Sequence, residues 1–189
     1  MAARPNADAD IHITSESGIA LLDDTGYFNE CDGSGRSAQG MESCFDCIEF
    51  NRNFGVFKKW DFGRYTPHVV IVAFGQNDAH PDDYMNRDYD CEKAVYWRSR
   101  YKAFVEKLMR LYPNARIILT TTILNHNKEW DDAIEEVCRA IDSDRVTHYL
   151  YRRNGCATPG HVRIDESKEM ALELYEYINS FPDVWNTAE

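Results

Sequence analysis

Three polar turns in this sequence hold the residue types that acyl transfer needs. They are Ser17-Gly18, Gly75-Gln-Asn-Asp78 and Gly155-Cys-Ala-Thr-Pro-Gly-His161. Ester hydrolysis requires a nucleophile, a base beside it, and N–H donors aimed at the developing oxyanion. Asn77 offers a side-chain amide, and Gly18 a backbone N–H on a turn that a ligand can approach closely. His161 offers a base just ahead of a helical stretch. Taken singly, each has an ordinary reading. Asn after Gly is usually a turn, Gly18 is backbone relief, and a loop histidine is more often solvated than catalytic. Their order and setting give them weight.

The elements that must position them are legible. Val69-Val-Ile-Val-Ala73 is a run of apolar, mostly β-branched residues without alternation, which predicts a strand buried on both faces. Gly75 ends it, so Gln76, Asn77 and Asp78 fall just past its carboxyl end, where open α/β sheets bind ligands. Residues 7–13 predict a short strand that enters the Ser17-Gly18 turn by the same grammar. Residues 23–40 read as a long surface loop, and a short helix is expected around 44–50. In 91–112 the residues Ala94, Trp97, Tyr101, Phe104, Val105, Leu108 and Leu111 share one helical face. A buried strand over 116–122 follows, then a helix over 130–141, a strand over 145–150 and a last helix over 165–181. Alternation of strand and helix predicts one α/β domain spanning residues 1–189, with a mostly parallel sheet flanked by helices.

At 189 residues the chain can bury a real core. Its formal charge of -11 and pI near 5.0 argue against nucleic acid and against an anionic membrane surface. No signal peptide and no transmembrane-length apolar run is visible. Cys44 and Cys47 form a CxxC without a second ligand pair nearby, so a metal site is disfavoured and reduced thiols are the default for the six cysteines. No cofactor is indicated.

Ser17-Gly18-Ile-Ala-Leu21, Gly75-Gln-Asn77-Asp78 and Gly160-His161, with Met170-Ala171 nine residues on, resemble blocks II, III and V of the SGNH (GDSL-like) hydrolases. More closely, the chain resembles their carbohydrate esterase family 2 branch, which removes acetyl groups from plant polysaccharides. Trp60-Asp-Phe before the central strand and Asn125-His-Asn-Lys-Glu-Trp130 after the next support that branch. The resemblance implies a three-layer α/β/α sandwich of flavodoxin-like type and a saccharide ester as substrate. It makes Gly18 and Asn77 oxyanion donors and His161 the general base. Trp130 would be either a sugar-stacking aromatic or a core residue, with His80, His126 and Asp78 lining the same edge. It also implies a secreted or cell-surface protein, although the sequence itself leaves localisation open.

The chain departs from the family twice. No Gly-Asp-Ser occurs, so the strand, nucleophile and helix that open the family's pattern are missing. Ser15, Ser17 and Ser34 do not occupy the nucleophile position. The expectation is an N-terminally truncated domain, inactive or very weak unless the missing segment is supplied, whose open sheet edges favour a homodimer or a rearranged N-terminus. Thr158 stands where the wider family has an aspartate three residues before its histidine, and the esterase branch is known to dispense with that carboxylate. Asp165 is better read as an acidic residue in the first turn of the last helix. The reading from another class is a non-catalytic carbohydrate-binding or interaction module on the same scaffold.

Overall fold

A computed structural model describes residues 9–27, 39–51, 56–121, 126–153 and 161–186. Three parallel strands form its sheet, in the order β3 (Val69–Ala73), β4 (Arg116–Thr120), β5 (Val146–His148). Val69 to Ala73 pair in register with Arg116 to Thr120, and Ile117 to Leu119 with Val146 to His148. Parallel strands need crossovers. Here they are the helices α3 (Glu92–Leu111) and α4 (Lys128–Ile141). The last helix, α5 (Ile164–Asn179), follows β5. The expected α/β class is the one found.

The period of α3 explains its packing. Ala94, Trp97, Tyr101, Phe104, Val105 and Leu108 are buried as one stripe, joined in the core by Val72, Ile117, Leu119, Ile134, Val137 and Val146. Each large apolar side chain removed from water contributes about 1.5–3 kcal/mol. Helix α3 stops where Tyr112 N–H caps the Leu108 carbonyl, one residue before Pro113, which cannot donate to a further turn. Helix α4 ends on Asp142 in the left-handed region, φ 50°.

Several expectations need correction. The described part of 7–13 forms no strand: Ile11 and Ile13 are exposed, and among the described residues no neighbouring strand supplies a hydrogen-bond ladder. Strand β3 is buried on one face only. Val72 is 5 % exposed, while Ile71, which points to the opposite face, is 47 % exposed; β3 also has β4 as its only strand partner among the described residues. Around 44–50 the helix is a single turn, α1 (Met41–Cys44), and an antiparallel hairpin follows, β1 (Cys47–Asn51) with β2 (Val56–Lys59). A short helix, α2 (Tyr84–Arg87), interrupts what reads as loop after Asp78. Asp83 makes that helix possible by accepting from Asn86 N–H at its N-terminus.

Cys44, Cys47, Cys91 and Cys138 form no disulfide among the described residues, while Cys31 and Cys156 lie outside them. Among the described residues no cluster of His, Cys, Asp and Glu is arranged to hold a metal ion, and no helix is long and apolar enough to cross a membrane.

Candidate active site

The turn after β3 is built on Gly75, whose φ of +120° is open to glycine and strained for other residues. A Cβ there would make ordinary contact with the Trp130 ring at 3.4 Å, so the backbone conformation and not space calls for glycine. From Gly75 the chain winds through two close backbone hydrogen bonds, Ala79 N–H to Gly75 O at 3.2 Å and His80 N–H to Asn77 O at 3.1 Å. Asn77 therefore sits inside a tight turn at the carboxyl end of the strand.

The Gly18 turn is held against it. Asn77 Nδ2 donates to the Ile19 carbonyl at 2.9 Å. That bond uses one of the two amide hydrogens and fixes the amide plane, leaving the other for a ligand. Gly18 has φ +76°, and its carbonyl accepts from Tyr27 N–H at 2.9 Å. Among the described residues no acceptor takes the Gly18 N–H. Two turns from distant parts of the chain are thus tied together by the Asn77–Ile19 bond.

Two further residues complete this edge. Gly26 N–H donates to His80 O at 3.0 Å, and Ile19 and Gly26 form an isolated antiparallel bridge. The Tyr27 ring, about half exposed, lies on the His80 imidazole with centroids 3.9 Å apart. His80 thus packs beside the Gly18 turn. Tyr27 was not foreseen, because it sits in a segment whose Gly, Asp and Asn content signals only loop.

Three residues expected to line the substrate edge face inward instead. Trp130 is fully buried; its Nε1–H donates to Asp83 Oδ1 at 2.9 Å, and its ring packs edge-on to Tyr84 and Trp97 at 5.3 Å. The core role that the sequence allowed for it is the one it takes. The His126 side chain is 2 % exposed and lies 2.9 Å from Asp131 in the first turn of α4, where Thr121 Oγ1 also donates to that carboxylate. Asp78 is 1 % exposed. Its Oδ1 accepts from Leu21 N–H at 2.9 Å and Trp97 Nε1–H at 2.7 Å, and its Oδ2 from Gly75 N–H at 3.1 Å. Burial pushes the Asp78 carboxyl above the usual carboxylate range, and these N–H bonds work against that shift.

His161 is exposed, three residues ahead of Ile164, where α5 begins. Glu166 anchors that helix start by accepting from Arg163 N–H at 3.0 Å. Ser15 and Ser17 are exposed in the segment that leads into Gly18, while Ser34 and Thr158 lie outside the described residues. The Gly18 and Asn77 turns are joined by the Asn77–Ile19 hydrogen bond, while His161 lies ahead of α5. The sequence contains no Gly-Asp-Ser to supply the attacking hydroxyl.

No protein-family model matches the chain. An acetylxylan esterase / glucomannan deacetylase of Cellvibrio japonicus is 30% identical over 133 residues, covering 68% of this chain and 35% of that protein. A family two carbohydrate esterase structure from Cellvibrio japonicus superposes with a TM-score of 0.70 at 24% identity, over 88% of this chain and 46% of that one. One from Clostridium thermocellum in complex with cellohexaose gives 0.62 at 18% identity, over 86% and 47%. A carbohydrate esterase whose active site displays divergent catalytic and non-catalytic binding functions gives 0.70 at 15%, over 89% and 52%. The chain spans about a third of the curated relative and about half of each solved chain. In sequence it is related to an acetylxylan esterase, and in fold to the SGNH-like carbohydrate esterases of family 2.

Proposed function

We propose that this chain is the oxyanion-and-base part of a carbohydrate esterase that deacetylates a plant polysaccharide or oligosaccharide. The hydrogen bond from Asn77 Nδ2 to Ile19 O carries the reading, because it sets a side-chain amide beside the Gly18 N–H. In this reading the substrate's acetyl carbonyl oxygen receives the Gly18 and Asn77 hydrogens as it gains charge. His161 takes the proton of a serine hydroxyl during attack and returns it to the departing sugar oxygen. Water then repeats the sequence on the acyl-enzyme. The serine is not assigned to a residue of this sequence, in which no Gly-Asp-Ser is present. Relatives of similar fold that act on or bind carbohydrate support the substrate class.

The test is a time course of p-nitrophenyl acetate hydrolysis by this chain and by His161→Ala. The expected result is no turnover above buffer for either. Robust turnover by this chain that His161→Ala abolishes would show that the nucleophile is already within it.

The second reading is a saccharide-binding module without catalysis. Its support is the exposed Tyr27–His80 stack beside two free N–H donors, with no family-type nucleophile in the sequence. Retention on insoluble xylan or cellulose, lost in Tyr27→Ala and without ester turnover when a Gly-Asp-Ser segment is supplied, distinguishes it from the first. We also propose that the outer edge of β3 pairs with the same edge of a second copy, an isologous contact that would extend the sheet across a two-fold axis.

A further inference from the structure

The proposed oxyanion site places its two donors on separate loops. Gly18 belongs to the turn after residues 9–17, and Asn77 to the turn after β3, 59 positions later in the sequence. A hydrogen-bond donor pair works only when both members hold their positions before the charge develops. The two loops share one buried group, the Asp78 carboxylate. Leu21, three residues past Gly18, gives its N–H to Oδ1, and Gly75, two residues before Asn77, gives its N–H to Oδ2. The third donor, Trp97 Nε1–H, ties the same carboxylate to the long helix α3 at 2.7 Å.

We propose that Asp78 is a positioning residue that sets the spacing of the Gly18 and Asn77 donors. The inference rests on the esterase reading above. A carboxylate is the side chain suited to this place, because both of its oxygens accept and neither donates. Trp97 also fixes the carboxylate from below, so neither loop can shift alone without giving up a charge-assisted bond in a water-free setting. Asp78 is 1 % exposed, so its effect on a ligand passes through the two turns it joins.

Asp78→Asn makes a directed test. The amide keeps one accepting oxygen for Leu21 and Trp97 but sets an N–H₂ group against the Gly75 N–H, two donors facing each other. The Gly75–Asn77 turn then moves while the Gly18 turn stays. The probe is acetate, whose carboxylate oxygen can accept from both donors, titrated into the ¹⁵N-labelled chain and followed by NMR. In the unmodified chain acetate is expected to shift the Gly18 amide and the Asn77 side-chain amide together and saturably. In Asp78→Asn the affinity falls about tenfold or more, with faster hydrogen exchange at Gly75 and unchanged exchange at Leu21. Asp83→Asn is the control. It weakens another carboxylate contact, the part-buried one to Trp130 and the exposed one to Asn127, and leaves acetate affinity within about twofold.

Equal acetate affinity in Asp78→Asn and the unmodified chain, or an equal loss in Asp83→Asn, overturns the positioning role. No acetate binding by the unmodified chain overturns the esterase reading itself, and the inference with it. Where Asp78→Asn does not fold, the unmodified chain still decides. Saturating acetate is expected to slow exchange at Leu21 and Gly75 in step, although neither amide faces the ligand. Independent responses at the two amides also overturn the proposal.

Discussion

Tyr27 lies flat on His80, ring centroids 3.9 Å apart and planes 13° from parallel. The pair stands next to the Gly18 and Asn77 turns, because Tyr27 N–H is bonded to Gly18 O and the His80 carbonyl to Gly26 N–H. An exposed aromatic face beside polar donors suits the apolar face of a pyranose. Tyr27→Ala is expected to weaken retention on xylan or cello-oligosaccharide about three- to tenfold, measured by affinity electrophoresis. An unchanged mobility shift would remove Tyr27 from the binding surface.

Gly26→Ala should be disproportionately harmful. The new Cβ would meet Gly18 O at 2.6 Å and Ala20 N at 3.0 Å, both backbone atoms, and Gly26 has φ +99°. Overpacking alone costs about 1–3 kcal/mol, and a side chain at such a φ adds to that. The urea midpoint should fall with little change in slope. A midpoint equal to that of the unmodified chain would refute this account of the turn.

Asn77→Ala removes the partner of a buried carbonyl at Ile19 as well as the proposed donor. The stability cost expected is about 1 kcal/mol or more, read from urea unfolding. When a Gly-Asp-Ser segment restores turnover, the same substitution should lower kcat by about 10²–10³. Loss of stability with full kcat would leave Asn77 a purely structural residue.

Alkaline pH should weaken the end of the sheet. Burial pushes the Tyr149 and Tyr151 hydroxyls up to about 12, and Tyr149 also donates to Glu173. Their ordinary value is 10.0, so between these values the unfolded chain loses protons that the folded chain keeps. Stability contributed by the bound protons is therefore complete below pH 10 and lost as pH rises towards 12. Urea midpoints across that range, with phenolate absorbance to follow ionisation, check the sign. A rising midpoint would contradict it.

The open edge of β3 predicts association. Ile71 is an exposed apolar side chain of a strand that lies at the sheet edge among the described residues and carries no charge or proline to discourage pairing. Sedimentation should show a dimer that Ile71→Lys converts to monomer. A monomer at every concentration for the unmodified chain would dismiss the contact.

Much of this was legible because the signals were local. The seven-residue stripe of α3 and the β-branched runs of β3 and β4 each declare their element within a short window. The Gly75-Gln-Asn-Asp78 turn announces itself where an apolar run meets glycine. Burial proved harder to read than element type. The unalternating run of β3 suggested cover on both faces, yet a strand's edge depends on which neighbours are present. Asp78 and Trp130 illustrate the same limit. A polar residue in a site-forming turn and an aromatic at a helix start both suit a ligand, and only tertiary packing shows that they meet Trp97, Leu21, Tyr84 and Asp83 instead. Tyr27 escaped notice for the converse reason: its partner His80 is 53 positions away in the sequence.

The perpendicular Trp97–Trp130 pair gives the protein a built-in optical gauge. Their rings are 5.3 Å apart at 85°, and one indole N–H rests on the carboxylate beneath the two donor turns. Any ligand that re-poses those turns must alter the electric field at Trp97. Near-ultraviolet circular dichroism and intrinsic emission can therefore follow occupancy without a label, and Trp185, on the surface, can be silenced separately by a soluble quencher.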